Sequence, residues 1–315
     1  MKVRYFPDVD LPAESRPVAT LGNFDGVHLG HQRAMSLLGE RAAVRKAPAV
    51  AITFEPHPVS VVRPEQAPRR ILTPSQKEEV LASLGMLDLL VIIHFTKEFS
   101  RISAQAFVKR VLVDKLRVSE LVLGANFRFG RGRSGDMDSL RKLGAEYGFV
   151  VHQVDAAMYE GEMVSSSRIR ACVQAGDVES AADMMGRAYF CEGLVGRGDG
   201  RGRLMGFPTA NIRVESDVLV ENGVYVTTAR LAEASFPGMT HVGRRPTFGL
   251  DERTVETHLF DFDREIYDQP VRLNFHHRIR GTVRFESADA LQEQLKQDEE
   301  QARAFFRGPG RNLVL

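Results

Sequence analysis

The stretch LGNFDGVHLGHQ, residues 21–32, sets His28 and His31 three residues apart where a helix should begin. Residues at that spacing share one helix face. The stretch follows the apolar run Val18–Leu21 and leads into a helical pattern through Leu29, Met35, Leu37 and Leu38. Strand, glycine-rich loop and helix in that order make a phosphate site, because the first N–H groups of a helix lack intrahelical partners and the helix dipole adds positive potential there. Gly22, Gly26 and Gly30 remove side chains that would hold a phosphate away from that backbone. The chemistry this predicts is nucleotidyl transfer, in which an attacking phosphate displaces pyrophosphate from the α-phosphorus of ATP. Histidine donors would neutralise charge gathering on the phosphoryl oxygens, and no enzyme nucleophile is needed.

Other stretches carry chemistry beside a plainer reading. In VSSSRIR, 164–170, the hydroxyls with Arg168 and Arg170 suit phosphate at a helix start, and a serine run also suits simple N-capping. GANFRFGRGRSGD, 124–136, is a solvated loop, a basic patch for RNA, or a small-phosphate loop, and its shortness with the low net charge favours the last. FEPHP, 54–58, holds Phe54 and His57 between prolines; alone it is a turn, and beside a mononucleotide it is a wall for a flat ring. In PTAN, Thr209 and Asn211 are two apart, so on a strand both oxygens face one side, as magnesium would require, although the same string reads as a strand beginning after a proline turn. Glu256 shares a strand face with His258, opposite Val255, Thr257 and Leu259, as a solvent-facing glutamate also would.

The elements that must position these residues change character along the chain. Apolar runs at 17–22, 48–54, 88–95, 119–123 and 149–154 alternate with helical patterns at 29–46, 74–85, 103–116 and 137–147. Strands apolar throughout and joined by helices predict a parallel sheet covered on both faces, with ligands at the carboxyl ends of the strands. Residues 165–186 read as two short helices broken at Gly176 and Asp177. Strand-like segments then recur at 188–195, 223–231, 239–243, 254–260, 271–277 and 282–286, predicting an antiparallel barrel, and a helix over 287–306 closes the chain. A length of 315 residues fits two domains, 1–186 and 187–315. The net charge of +1 gives no case for nucleic acid or an anionic membrane. Two cysteines, with no CxxC and no zinc spacing, argue against a disulfide framework or a structural metal. The absence of a signal-like or membrane-length apolar run predicts a cytoplasmic protein.

The residues resemble the prokaryotic bifunctional riboflavin kinase/FAD synthetase family. The matching pieces are GNFDGVHLGH (22–31), TFEPHP (53–58), NFRFG (126–130), GRSGD (132–136), SSSRIR (165–170), GRGRLMGFPTAN (200–211), GVY (223–225), GRRPTF (243–248), VETHLFDFDREIYD (255–268) and RIR (278–280). The resemblance implies a Rossmann-like α/β nucleotidyltransferase of the HxGH type that adenylylates FMN to FAD, followed by a small antiparallel β-barrel riboflavin kinase with a C-terminal helix. It assigns His28 and His31 to the ATP phosphates and the transition state, and Gly22, Asn23, Asp25, Gly26, Ser165, Ser166 and Arg170 to ATP and phosphate binding. Asn126 falls near a magnesium ion, and Phe54, Pro56 and His57 on the flavin side.

In the second module the resemblance gives Thr209 and Asn211 to magnesium, Gly202 and Arg203 to the ATP phosphates, Glu256 the role of general base for the ribityl 5′-hydroxyl, and Arg280 a contact with the flavin. It implies Mg2+, ATP as co-substrate and flavins as substrate and product, with riboflavin, FMN and ATP as partners. The chain departs from the family pattern at His241 and Arg244, usually asparagine and a small polar residue, at Asp268, usually glycine, and at Val220, often proline.

Overall fold

In the first unit, short apolar runs separated by helices assemble into a parallel sheet. The computed structural model describes residues 1–313 except 10, 13, 199–201, 203, 204, 233, 248 and 249, and gives backbone alone at 245–247 and 250–252. Its compact units are Met1–Ser166 and Ser167–Leu315, which groups residues 167–185 with the second unit, ahead of the boundary expected near 186. The first unit contains β1 (Lys2–Phe6), β2 (Val18–Leu21), α1 (Leu29–Arg45), β3 (Ala49–Glu55), α2 (Pro58–Val62), α3 (Pro74–Ser83) and β4 (Leu89–His94). Then come α4 (Ala104–Phe107), which runs on as a π-helix over Val108–Lys115, β5 (Glu120–Gly124), α5 (Met137–Tyr147), β6 (Val150–Val154) and the hairpin β7 (Met158–Tyr159) and β8 (Glu162–Met163). The six strands lie in the order β1-β4-β3-β2-β5-β6, all parallel. Strands are added outward from β2 through β3 to β4, and then on its other side through β5 to β6, so the switch point lies between β2 and β5, beside the loop that carries His28 and His31.

Strand β1 was not expected from sequence. Its residues KVRYF are mostly exposed, because an edge strand needs no apolar alternation to pair its backbone with β4.

The second unit contains α6 (Ser166–Ala175), α7 (Val178–Met185), β9 (Tyr189–Gly196), β10 (Ala210–Val214), β11 (Gly223–Leu231), β12 (Ala234–Thr247), β13 (Leu250–Leu259), β14 (Pro270–Gly281) and α8 (Ala288–Arg307). The strands close into a barrel, β10-β13-β12-β11-β14-β9, with every pairing antiparallel. The strand expected at 282–286 does not form. Its ladder ends where Gly281 pairs with Gly223, the first residue of β11, and beyond that point β14 has no partner. Residue parity divides the barrel wall. Thr227, Thr240 and Thr257 are buried and joined by hydroxyl contacts of 2.7 and 2.8 Å, while Val226, Met239 and Phe260 point the other way and pack with Ala302, Leu295 and Phe306 of α8. Gly176 ends α6 at φ +80°, and a Cβ there would stand 2.7 Å from the Tyr225 hydroxyl, so the α6–α7 turn lies flush on the barrel. Asp268, where the family usually has glycine, also has a positive φ of +60°, a region aspartate tolerates better than most residues.

One fully buried carboxylate ties the first unit together at the end of the sheet away from the switch point. Glu120 opens β5 with no side-chain exposure, and Arg41 and Arg45, one turn apart on α1, both reach it. Arg41 Nε and Nη2 donate to its two oxygens at 2.8 and 3.0 Å, and His152 Nε2 lies 2.7 Å away. The hydrogen bond from Arg41 is the largest influence holding the Glu120 carboxyl down at about 2, against the cost of burial and with Arg45 and His152 reinforcing it. A folded value below the unfolded one means that stability is fully present above the unfolded carboxylate range and is lost as pH falls toward 2. We expect Glu120→Gln to destabilise the protein by about 3 kcal/mol at neutral pH and to flatten the loss of thermal stability between about pH 5 and pH 2, measured by calorimetry across that range.

Candidate functional site

The loop after β2 gains its shape from residues in unusual backbone regions. Phe24, Gly26 and Val27 have φ of +51°, +79° and +41°, strained for phenylalanine and valine, and held by full burial of both side chains. The turn delivers His28 to the N-cap of α1, where its Nδ1 accepts the Gly30 N–H at 3.2 Å. The proton of the neutral ring therefore sits on Nε2, which can donate to a ligand. His31 stacks on it with centroids 3.7 Å apart at 21°, and the edge of Phe24 meets His31 at 5.3 Å. The sequence expectation that the two histidines share one face is met, although His28 precedes the helix. The glycines serve packing within the loop: a Cβ at Gly22 would stand 2.7 Å from the Phe24 ring, one at Gly26 3.0 Å from Ile71, and one at Gly30 3.1 Å from His28.

Asp25 turns away from the helix start. Its Oδ1 accepts the N–H groups of Ile71 and Leu72 at 3.0 and 3.4 Å, clasping the segment that leads into α3. Ser166 donates its hydroxyl to the Asp25 carbonyl at 2.8 Å, and Ser165 lies half-buried beside it. Arg170 stands on α6, in the second unit. Asn23 faces His57 Nε2 at 3.0 Å, while His57 Nδ1 caps α2 by accepting the Val59 N–H, so two stretches singled out separately in the sequence meet. Pro56 precedes His57, and Phe54 ends β3 against Phe95, Phe99 and Phe107 with centroids 5.7 to 6.5 Å apart. Sequence reading missed those three rings; each follows or ends a different element, so no short motif contains them. Asn126 is exposed and directs its Nδ2 at the Met163 sulfur, 3.4 Å away.

In the second unit one register brings the scattered predictions together. Asn211 on β10 pairs with Glu256 on β13, Glu256 with His241 on β12, His241 with Val224 on β11, and Val224 with Arg280 on β14. All five line a cavity of about 430 Å³, with Gly202 and Thr209 on one side and Met239, Phe285, Leu291 and Leu295 on another. His258, two residues from Glu256, donates from Nδ1 to the Pro208 carbonyl at 2.8 Å and so pins the PTAN turn to β13. Gly198 and Gly202 lie on the predicted ion ligands: a Cβ at Gly198 would fall 2.0 Å from Asn211 Nδ2, and one at Gly202 3.3 Å from Thr209 Oγ1. Arg203 lies outside the described residues. Arg280 is gripped by the buried Asp298 of α8 through contacts of 2.7 to 3.0 Å, with Gln294 donating to the same carboxylate. Among the described residues no cluster of histidine, cysteine, aspartate or glutamate has a metal-binding arrangement, and no helix is long and apolar enough to cross a membrane.

A parallel α/β fold with paired histidines at its switch point, followed by a closed barrel with a walled polar row, is the architecture of a nucleotidyltransferase joined to a barrel kinase. The family profile described as FAD synthetase matches residues 11–168, and that described as riboflavin kinase matches 185–306. The Escherichia coli K12 protein named bifunctional riboflavin kinase/FMN adenylyltransferase is 36% identical over 92% of this chain and 92% of its own. The relative of that name from Listeria monocytogenes is 37% identical over 92% of each chain. A crystal structure of a Streptococcus pneumoniae protein described as a macrolide-efflux protein superposes with a TM-score of 0.88 at 29% identity, covering 96% of this chain and 99% of that one. The chain belongs to the bifunctional riboflavin kinase/FMN adenylyltransferase family.

Because Gly26 combines a positive φ with a Cβ position against Ile71, Gly26→Ala should cost roughly 1–2 kcal/mol. The loss should appear in denaturant unfolding followed by a probe in the first unit, together with reduced nucleotidyl transfer.

Proposed function

We propose that the family's two activities divide between the units: the barrel phosphorylates riboflavin with ATP to FMN, and the α/β unit transfers AMP from ATP to FMN, giving FAD and pyrophosphate. The observation that supports this reading most directly is the barrel row, which sets an acid residue between an amide and an imidazole at the edge of an apolar-walled cavity. Met239, Phe285, Leu291 and Leu295 offer a flat, water-excluding wall suited to the flavin ring. Glu256 then takes the proton of the terminal ribityl hydroxyl as that oxygen bonds to the γ-phosphorus, and ADP leaves with the electrons of the broken bond. Gly202 keeps the turn over Thr209 low enough for ATP phosphates to approach.

Thr209 and Asn211 suit Mg2+, which takes oxygen ligands, keeps several waters and shares phosphate oxygens. The bare backbone of Gly198 and Gly202 against them leaves a cradle that any side chain would fill. When bound, the ion would neutralise phosphate charge. Arg280, already held by Asp298, acts by fixing α8 as the cavity wall.

In the first unit the FMN phosphate attacks the α-phosphorus of ATP. The Nε2–H of His28 and the stacked His31 are the donors for the charge that builds on the phosphoryl oxygens. Gly22, Gly26 and Asp25 shape the loop, Ser165 and Ser166 bind phosphate beside it, and Phe54, Pro56, His57 and Asn23 form the flavin side. Asn126 keeps its amide nitrogen on Met163, which leaves its oxygen as the ligand atom for a magnesium ion.

Riboflavin, ATP and magnesium should yield FMN and then FAD, resolved by chromatography, and EDTA should stop both steps. His28→Ala should lower FAD formation by two orders of magnitude or more, on the order expected for removing a transition-state donor, and leave FMN formation intact. Glu256→Ala should do the reverse when FMN is supplied. Folded protein that makes neither flavin would refute the assignment.

A further inference from the structure

Two side chains flank Glu256 across the barrel on its own face: Asn211 from β10 and His241 from β12. Asn211 belongs to the ion and phosphate side of the cavity, so His241 is the neighbour left to orient the carboxylate. Several observations place its ring for that task. His241 lines the same cavity as Glu256, and the Glu256 charge acts on its imidazole. Its ring leans along β12 over Gly243, where a Cβ would stand 2.6 Å from His241 Cε1 and 3.1 Å from Nε2. Gly243 has no positive φ, so the backbone itself does not require glycine there. The bare position is a seat for the ring.

The charged and titratable groups around the imidazole are Glu256 and His258 on β13, Arg280 on β14 and Asp298 on α8. His258 is committed to the Pro208 carbonyl, and Arg280 and Asp298 to each other. The cavity walls favour the neutral ring, with Glu256 opposing that effect, and a neutral ring keeps one N–H donor.

We propose that His241 is a positioning residue of the kinase reaction, its ring N–H holding one oxygen of Glu256 so that the other faces the ribityl hydroxyl. The inference rests on the reading of Glu256 as the base. The proton goes from the hydroxyl to the second Glu256 oxygen, the hydroxyl oxygen bonds to the γ-phosphorus, and the bond from that phosphorus to ADP breaks. His241 neither gains nor loses a proton. It fixes the carboxylate rotamer, which a strand glutamate with three side-chain torsions does not hold by itself.

The test is steady-state riboflavin phosphorylation by the full chain, with FMN adenylylation of each variant as the check on folding. His241→Ala should lower kcat roughly tenfold to a hundredfold, the scale for losing a residue that orients a functional group, with KM for riboflavin changed less than about twofold. His241→Asn places an amide N–H near the Nδ1 position and His241→Gln one near Nε2, so recovery of kcat in one of them identifies the donating nitrogen. Gly243→Ala should lower kcat in the same way with the imidazole still present, because the added methyl moves only the far edge of the ring. A change confined to KM, or full kcat in His241→Ala, would overturn the proposal. Glu256→Gln with undiminished kcat would instead overturn the reading of the base, an outcome separate from either result at His241.

Discussion

A chain of buried threonine hydroxyls sets the phase of the barrel, and the second site depends on it. Thr227, Thr240 and Thr257 satisfy one another only if β11, β12 and β13 keep their register. Unpaired hydroxyls in that interior would cost more than the contacts gain, so a slip of one residue is strongly disfavoured. The same slip would exchange the two faces of each strand and carry Glu256 and His241 into the apolar interior. The polar row is thus held in place by a polar ladder on the opposite side of the same strands.

Much of the first unit was legible because its signals are local. Five apolar runs and the helices between them follow one another with short connections, and the loop carrying His28 and His31 contains its own glycines and helix start. What escaped notice depends on distance along the chain. Strand β1 has no apolar pattern, since pairing at an edge asks only for backbone. The work of Asp25 could not be read from GNFDG, because its partners are the amides of residues 71 and 72. The rings of Phe95, Phe99 and Phe107 gather around Phe54 from separate elements.

In the second unit composition announced strands, but the site is a product of register. PTAN and TVETHLF are some forty-five residues apart, and each alone reads as an ordinary strand segment; the family resemblance, not periodicity, joined them. Their adjacency, Asn211 against Glu256, exists only in the closed barrel. His241 entered as a departure from the family pattern and proves to be the next residue in that row. Arg280 was expected to face a flavin, and its partner Asp298 lay on a helix whose amphipathic pattern showed the apolar stripe while hiding a buried acid.

That grip on Arg280 bears on how a product leaves. Among the described residues lining the cavity, Arg280 is the only arginine or lysine, and its charge is already balanced by Asp298. A flavin arrives there uncharged and departs as a phosphate ester, with the carboxylate of Glu256 beside the newly charged group. Lacking a spare fixed cation from the described lining to retain that anion, the walls hold the ring by apolar contact while the electrostatics turn against the occupant once the reaction is complete. Turnover is favoured by the same ion pair that keeps the helix in place.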